Sequence, residues 1–285
     1  MTVHHVGVVG CGLMGSGIAE VCALATLDVV VHELDEPAIL SGRGRIERSL
    51  MRGVAAGKLT TAAKDAALQR IRFTDDLSDF HDRELVVEAV AEDEVAKTEV
   101  FSQLGKVTSS DAILASNTSS IPIIKLAMAA NRPGSVVGLH FFNPVPVLNL
   151  VELVASLVTT EETVKGARDF AERQLSKRVV ASPDRAGFIV NALLIPYILL
   201  AIRMFESGFA AAEDIDVGMV EGCNHPMGPL ALADFIGLDT TQAIAKTLYE
   251  EFKDPLYAPP PLLSRMVDAG LLGRKTGQGF YAYER

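Results

Sequence analysis

A histidine and a glutamate near the middle of the chain have the types and the spacing of an acid–base pair. His140 ends an apolar, strand-like run, and Pro144 and Pro146 then force an extended or turning backbone. The chain next enters a second apolar run that contains Glu152. On adjacent strands, the carboxylate would fix the imidazole tautomer and raise the basicity of the other ring nitrogen, as a general base for an alcohol proton requires. A core histidine with an acid on the solvent face is the open alternative.

Two further groups of polar side chains lie where a substrate can reach them. The hydroxyl-rich residues 116–120 follow an apolar run of strand length, and open α/β sheets bind ligands at the carboxyl ends of their strands. Asn191 interrupts the apolar residues 188–200, and a buried amide needs hydrogen-bond partners. Helix capping by the hydroxyls and core bonding by the amide remain open as alternatives.

The first 33 residues have the pattern of a dinucleotide-binding site. An apolar run leads into Gly10-Cys11-Gly12-Leu13-Met14-Gly15, which precedes a helix-like segment. The glycines allow a tight turn beside a pyrophosphate, and the helix directs its N–H groups at that anion. Glu33 follows a second apolar run, at the spacing of about 20 residues that lets a carboxylate reach the adenosine ribose. Because a carboxylate repels a 2′-phosphate, the predicted cofactor is NAD, with NADP as the alternative.

A local basic stripe stands out on an otherwise acidic chain. Arg45, Arg48 and Arg52 have the spacing i, i+3 and i+7, which places them on one face of a helix. Such a face suits a phosphorylated ligand, and a solvated helix surface is the alternative. Cys11 raises a separate expectation, because a helix N-terminus can lower a thiol pKa. Oxidation of Cys11 would then impair cofactor binding, unless the residue is only a small filler.

The elements that must position these groups alternate between strand and helix in the first half. Strand-like runs cover residues 3–9, 29–32, 85–89, 113–115, 136–139 and 147–154, the last as an antiparallel edge. Helical segments lie between them, and Thr160 is the predicted N-cap of residues 160–175. After residue 183, only helical segments follow. The prediction is a Rossmann-type, doubly wound α/β domain over residues 1–183 and an all-helical C-terminal domain over residues 184–285.

Composition argues against several classes of protein. The chain has 36 acidic against 26 basic residues and a net charge of −10, which argues against nucleic-acid binding and against an anionic membrane surface. Three cysteines without a CxxC pair, and the lack of a secretory signal pattern, are typical of the cytoplasm. The six histidines show no metal-ligand spacing, so no metal site is predicted.

Seven motifs spread over nearly the whole chain occur in a specific order. They are the glycine-rich residues 10–15, Val86-Val87-Glu88-Ala89, Ser116-Asn117-Thr118-Ser119-Ser120, His140-Phe141-Phe142-Asn143-Pro144-Val145, Gly187-Phe188-Ile189-Val190-Asn191, Pro226-Met227-Gly228-Pro229 and Gly273-Arg274-Lys275-Thr276-Gly277-Gln278-Gly279-Phe280-Tyr281. With these motifs the chain resembles the 3-hydroxyacyl-CoA dehydrogenase family, and within it the bacterial 3-hydroxybutyryl-CoA dehydrogenases.

The resemblance implies a role for most of the candidate residues. His140 would be the catalytic base and Glu152 its orienting carboxylate, while Ser119 and Asn191 would hydrogen-bond the reacting oxygen or the adjoining thioester. Glu33 would bind the adenosine ribose. Family positions that contact the nicotinamide cofactor are matched by Glu92, Lys97, Asn143 and Lys275, with Lys97 and Ser119 also near the acyl-CoA.

The resemblance is weaker for the CoA contacts. Ser49 matches a family position near CoA, but Ala56 stands where the family has a CoA-contacting lysine, and Lys58 lies two residues further on. We therefore expect Ser49, and Lys58 less directly, to bind substrate.

The implied activity is NAD-dependent oxidation of short-chain (S)-3-hydroxyacyl-CoA, and the reverse reduction, by a homodimer or higher homo-oligomer built through the helical domain. A dehydrogenase of sugar acids such as L-gulonate is the first alternative, although the basic stripe favours CoA. A catalytically silent structural relative is the second, and the presence of Ser119, His140, Glu152 and Asn191 argues against it.

Overall fold

One sheet of eight strands organises the first of two units into which the chain divides. The computed structural model describes residues 2–284, and the units comprise residues 1–185 and 186–285. In chain order, the strands are β1 (His5–Val9), β2 (Asp28–His32), β3 (Ile71–Thr74), β4 (Leu85–Glu88), β5 (Ile113–Ser116), β6 (Val136–Phe141), β7 (Leu150–Ala155) and β8 (Arg178–Pro183).

The strand order is that of a doubly wound dinucleotide-binding sheet. It runs β3-β2-β1-β4-β5-β6-β7-β8, and β1 to β6 are parallel. The order reverses between β1 and β4, which is where such sheets bind their ligands. β4 and β6 are buried along their whole length, so their sequences are mostly apolar. The predicted Rossmann-type fold is confirmed.

The last two strands differ from the prediction. β7 is antiparallel to β6, as expected, but it is not an edge, because β8 pairs parallel with its other side. β3 and β8 were not predicted. Both are only partly buried edge strands, so neither has the apolar run that marks an interior strand.

Six α-helices connect these strands. They are α1 (Leu13–Leu24), α2 (Glu36–Ala55), α3 (Thr61–Gln69), α4 (Glu94–Val107), α5 (Ile123–Ala129) and α6 (Glu161–Asp169). Side chains cap several of their N-termini, as when Thr160 accepts a hydrogen bond from the Thr163 amide, which confirms the predicted cap. A π-helical turn, Phe170–Gln174, continues α6 where a single longer helix was expected.

The second unit is helical, as predicted. Its helices are α7 (Val190–Glu206), α8 (Ala212–Cys223), α9 (Pro229–Ile236), α10 (Leu238–Phe252) and α11 (Pro261–Asp268). Two buried aspartates join its segments. Asp216 accepts hydrogen bonds from the first amides of α9, and Asp234 accepts from the amides of Phe280 and Tyr281. Among residues 2–284, no helix combines the length and the apolar character that crossing a lipid bilayer requires.

Candidate active site

His140 and Glu152 face each other across an antiparallel strand pair. They are register partners on β6 and β7, and side chains of directly opposed residues lie on the same face of a sheet. His140 Nδ1 lies 2.7 Å from Glu152 Oε2, and both side chains are buried. A carboxylate at Nδ1 assigns proton exchange to Nε2. The arrangement is therefore that of a general base held in one tautomer and one orientation.

Glu92 collects donors from the hydroxyl-rich segment. Its Oε1 accepts hydrogen bonds from Thr118 Oγ1 at 2.6 Å, Ser119 N at 2.9 Å and Ser120 Oγ at 3.0 Å. Burial by itself would raise the pKa of this carboxyl, but the Lys97 charge and these hydrogen bonds outweigh burial and lower it. Glu92 is therefore an anion that orients the partly buried Ser119.

A fully buried ion pair stands beside this cluster. Lys97 Nζ donates to Glu88 Oε1 at 2.6 Å, and the two side chains are 1% and 0% exposed. Glu88 also accepts from Val90 N at 2.8 Å and from Ser116 Oγ at 2.6 Å. Lys97 Nζ lies 3.4 Å from Glu92 Oε2, which links the pair to the hydroxyl cluster. The end of β4 is thus bonded to the segment that follows β5.

Two contacts fix the segment around the histidine strand. Asn117 Oδ1 accepts a hydrogen bond from Phe141 N at 2.9 Å, which ties the hydroxyl-rich segment to the end of β6. Asn143 follows in a loop with a cis bond to the next proline. Lys177 Nζ donates to the Val145 carbonyl at 2.6 Å, which anchors that loop. These contacts therefore fix the loop that contains Asn143 at the end of the histidine strand.

The glycine-rich turn after β1 needs its glycines for different reasons. Gly10 has a φ of 87°, and a Cβ there would lie 2.9 Å from the Ala89 carbonyl oxygen. A Cβ at Gly15 would lie only 1.9 Å from the Gly10 carbonyl oxygen. At Gly12, by contrast, no other described residue apart from the two chain neighbours has an atom within 4 Å of that position. The space before the α1 N-terminus is thus left for a ligand.

The surroundings of this turn fit a dinucleotide. Leu13 and Met14 open α1, and the N-cap, Gly12, makes no side-chain cap. The first amides of the helix therefore point toward an incoming pyrophosphate. Glu33 follows the carboxyl end of β2, and its Oε1 accepts a hydrogen bond from Cys11 N at 2.5 Å. That contact holds the carboxylate beside the turn, where ribose hydroxyls would bind it.

The expectation of an activated Cys11 thiol is wrong. Cys11 is fully buried, and burial, with the Glu33 charge, raises its pKa to about 12 despite the opposing Arg45 charge. A Cβ added at Gly42 would lie 2.7 Å from the Cys11 Sγ, so the thiol packs against α2. Cys11 is therefore a packing residue, which was the alternative interpretation.

The basic stripe borders a cavity of about 440 Å³. We call it the arginine-lined cavity, and its lining residues are Leu13, Ser16, Gly17, Glu20, Arg45, Arg48, Ser49, Arg52, Asn143, Pro144, Val145 and Pro146. The cavity therefore joins the predicted CoA contact, Ser49, to the predicted cofactor contact, Asn143. Ala56 is the C-cap of α2, and Lys58 lies beyond that helix, outside the lining set.

Two predicted site residues belong to the second unit. Asn191 is buried in the first turn of α7. Lys275 is partly exposed, and its Nζ lies 2.6 Å from Asp239 Oδ2. Among residues 2–284, no group of three or more histidine, cysteine, aspartate or glutamate side chains is arranged to hold a metal ion.

Family models assign this architecture. The NAD-binding domain of 3-hydroxyacyl-CoA dehydrogenase matches residues 5–185, and the C-terminal domain of the same enzyme matches residues 187–283. The chain belongs to the 3-hydroxyacyl-CoA dehydrogenase family. It is therefore an NAD-dependent oxidoreductase that acts on the hydroxyl group of 3-hydroxyacyl-CoA.

Individual members of the family are similar over their whole length. A 3-hydroxybutyryl-CoA dehydrogenase from Mycobacterium tuberculosis is 58% identical over 282 residues, which cover 99% of each chain. The human mitochondrial hydroxyacyl-coenzyme A dehydrogenase is 42% identical, over 99% of this chain and 92% of its own. The crystal structure of (S)-3-hydroxybutyryl-CoA dehydrogenase from Ralstonia eutropha superposes with a TM-score of 0.95 and 43% identity, covering 100% of both chains.

The sequence analysis missed three residues that shape this region. Glu88 and Asn117 lie inside motifs quoted above. The motifs do not indicate that Glu88 forms an ion pair with Lys97 of α4, or that Asn117 accepts a hydrogen bond from the histidine strand. Glu20 had a usable signal, because it is an acid within the otherwise apolar and small residues 15–24. A charge at a buried helical position is unusual unless it has a partner or a function.

Proposed function

We propose that the chain interconverts (S)-3-hydroxybutyryl-CoA and acetoacetyl-CoA with NAD, with His140 as the general base and Glu152 as its orienting carboxylate. The observation that carries the proposal is the 2.7 Å contact between His140 Nδ1 and Glu152 Oε2 within a buried strand pair. The names of the similar proteins from Mycobacterium tuberculosis and Ralstonia eutropha support a short acyl chain.

In the oxidation, Nε2 of His140 takes the proton of the substrate 3-hydroxyl. The ring becomes an imidazolium, and the adjacent Glu152 carboxylate stabilises that charge. NAD supplies the redox chemistry when bound, because it accepts the hydride from C3. The loss of one proton and one hydride leaves a ketone. In the reduction, the imidazolium of His140 returns the proton to the carbonyl oxygen.

Other residues bind the reactants in this proposal. Ser119, oriented by Glu92, and Asn191 hydrogen-bond the reacting oxygen or the thioester. Glu33 binds the adenosine ribose, beside the turn formed by residues 10–15. Further cofactor contacts come from Glu92, Lys97, Asn143 and Lys275, and further substrate contacts come from Ser49, Lys58 and Lys97.

We assign the two domains, residues 1–183 and 184–285, to cofactor binding and to substrate binding with dimerisation. Leu193, Leu200 and Met204 support the homodimer, because they form an apolar stripe on one face of α7 and are 72%, 53% and 41% exposed. A cytoplasmic location fits the metabolic activity and the three free cysteines.

The activity is tested by steady-state reduction of acetoacetyl-CoA with NADH and with NADPH, in parallel with oxidation of L-gulonate. We expect turnover of acetoacetyl-CoA, with higher kcat/KM for NADH than for NADPH because Glu33 repels a 2′-phosphate. Longer 3-oxoacyl-CoA substrates in the same assay measure the chain-length preference. Turnover of L-gulonate alone would overturn the proposal, as would NADH binding without reduction of any acyl-CoA.

The homodimer is tested by light scattering on a sizing column. Leu193→Glu should convert a dimer to a monomer, because it places a charge in the apolar stripe. Leu157→Glu is the matched control, since Leu157 is 97% exposed and lies in the first unit, away from α7 in the sequence. A monomeric wild-type chain would contradict the assignment.

A further inference from the structure

Glu20 is a buried acid that no step described above uses. It lies in the middle of α1, and its side chain is only 3% exposed. Its Oε2 has no hydrogen-bond partner among the residues that the structure describes. A buried carboxyl oxygen without a partner is costly, and such groups in native proteins call for an explanation, which a functional role can supply.

The position of Glu20 points to that role. It lines the arginine-lined cavity together with Arg45, Arg48 and Arg52 of α2 and with the hydroxyl of Ser49. Guanidinium groups and hydroxyls are the side-chain donors that bind phosphate oxygens. A cavity of about 440 Å³ with this lining can receive the phosphates at the nucleotide end of an acyl-CoA, although it does not hold the whole molecule.

The groups that face Glu20 favour its protonated form when an anion binds. Burial raises the pKa of Glu20 above its ordinary value, and the Ser49 hydrogen bond and the Arg52 charge offset only part of that effect. A phosphate beside the carboxyl adds a like charge, which raises the pKa further. The protonated acid then has an O–H group to donate to a phosphate oxygen.

Other elements near α1 add no competing acid to the cavity. The lining residues 143–146 include no titratable side chain, and Lys177 donates to the Val145 carbonyl. On α3, which also packs against α1, Lys64 and Asp65 pair with each other at 2.7 Å. Neither of these two lines the cavity.

We propose that Glu20 is a hydrogen-bond donor in a phosphate subsite for acyl-CoA, which Arg45, Arg48 and Arg52 complete. This inference rests on the proposed acyl-CoA activity and adds a proton-linked contact to it. Substrate binding takes up a proton at Glu20. The affinity for the CoA nucleotide therefore falls as rising pH removes that proton.

The test compares two thioesters that react at the same carbon. Acetoacetyl-CoA carries the phosphates, whereas acetoacetyl-pantetheine lacks the nucleotide. KM and kcat are measured with saturating NADH at about pH 6 and about pH 8. Both values lie above the ordinary pKa of a carboxyl group, and they bracket the ordinary pKa of histidine. The proteins are wild type, Glu20→Gln, Glu20→Ala and Arg52→Ala. Arg43→Ala is the matched control, because Arg43 is on α2 but stacks 5.2 Å from the Phe73 ring.

At the lower pH, where Glu20 carries its proton, Glu20→Ala and Arg52→Ala should raise KM for acetoacetyl-CoA by about tenfold, the loss expected for one charge-assisted hydrogen bond. Their KM for acetoacetyl-pantetheine and their kcat should stay near wild type. Glu20→Gln keeps a donor that does not titrate, so its KM for acetoacetyl-CoA should match wild type at the lower pH and fall below it at the higher pH. Arg43→Ala should change neither substrate.

Two outcomes overturn the inference while the proposed function stands. One is a wild-type enzyme that has the same KM for both thioesters. The other is a Glu20→Gln variant whose KM for acetoacetyl-CoA equals that of wild type at both pH values. This comparison remains decisive if Glu20→Ala fails to fold. Wild-type enzyme that reduces neither thioester would instead contradict the proposed function itself.

Discussion

The His140–Glu152 pair and the Glu88–Lys97 pair are both buried in the first unit, and the strands of His140 and Glu88 are two positions apart in the sheet. The two pairs nevertheless differ in what they are suited to do. Lys97 and Glu88 are bonded to each other and to surrounding backbone or hydroxyl groups. An imidazole with a carboxylate at Nδ1 has the arrangement of a general base, whereas an ion pair with further backbone and hydroxyl contacts fixes the positions of its elements. The first pair is suited to moving a proton, and the second to holding the end of β4 in place together with Lys97, which is also a proposed contact of the reactants.

The surroundings of the two carboxylates, Glu152 and Glu88, distinguish a proposed catalytic pair from a structural one. The proposed orienting carboxylate, Glu152, contacts the imidazole of His140 at 2.7 Å. A carboxylate that positions backbone is surrounded by permanent donors, as Glu88 is. Substitutions in the two pairs should therefore affect different measured quantities, one mainly kcat and the other mainly the free energy of unfolding.

The largest effect is expected for His140→Gln. The variant keeps the shape of a planar polar side chain but removes the base, and a general base is worth about 10²–10⁴-fold in rate. We expect kcat to fall by that factor while acetoacetyl-CoA still binds, as measured by stopped-flow reduction and by calorimetric titration. Near-normal turnover in a folded variant would end the assignment of His140 as the base.

Glu152→Gln should lower kcat by about 10²-fold or more, because an amide cannot stabilise the imidazolium and can hold the ring in the wrong tautomer. KM for acetoacetyl-CoA should stay close to wild type. The measurement is steady-state kinetics in both directions. A variant that loses affinity but keeps kcat would mean that Glu152 shapes the binding site instead of serving the base.

Glu88→Gln tests the architectural pair. It removes the charge that faces Lys97, and we expect the free energy of unfolding to fall by about 1.5–3 kcal/mol in urea titrations. Glu94→Gln is the matched control, since the Glu94–Lys125 pair is 51% exposed on both sides and should contribute about 0–1 kcal/mol. A large loss of kcat without a loss of stability would erase the distinction between the two pairs.

The smallest effect is a pH dependence at Glu92. Its folded-state pKa is lowered, because the Lys97 charge and the hydroxyl hydrogen bonds overcome the opposing effect of burial. The stabilisation is therefore complete above the ordinary value of 4.5 and is lost as the pH falls through the lowered pKa. Unfolding free energies of wild type should fall more steeply than those of Glu92→Gln between about pH 5 and pH 3. Parallel slopes would show that the bonds to Glu92 contribute nothing to stability.

Local patterns of the sequence predicted the helices and most interior strands. Interior parallel strands are mostly apolar runs, so β4, β5 and β6 were predicted. The length and composition of the segments after residue 183 predicted the helices of the second unit. The edge strands β3 and β8 were not predicted, because a partly exposed strand lacks the continuous apolar run that marks an interior strand. The interior position of β7 depended on β8 and was missed for the same reason.

The sequence by itself determined the glycine turn, the position of Glu33, the alternation of strands and helices that indicates a Rossmann-type fold, and a histidine and a glutamate whose spacing suits opposed strands. Each of these depends on short-range spacing, which the chain carries directly. Only the tertiary structure decided that Cys11 is buried with a raised pKa, that Glu88 pairs with Lys97, and that Glu20 lines the arginine-lined cavity. These properties depend on burial and on contacts between distant elements, and the electrostatic consequences of a side chain follow from its surroundings and not from its neighbours in sequence.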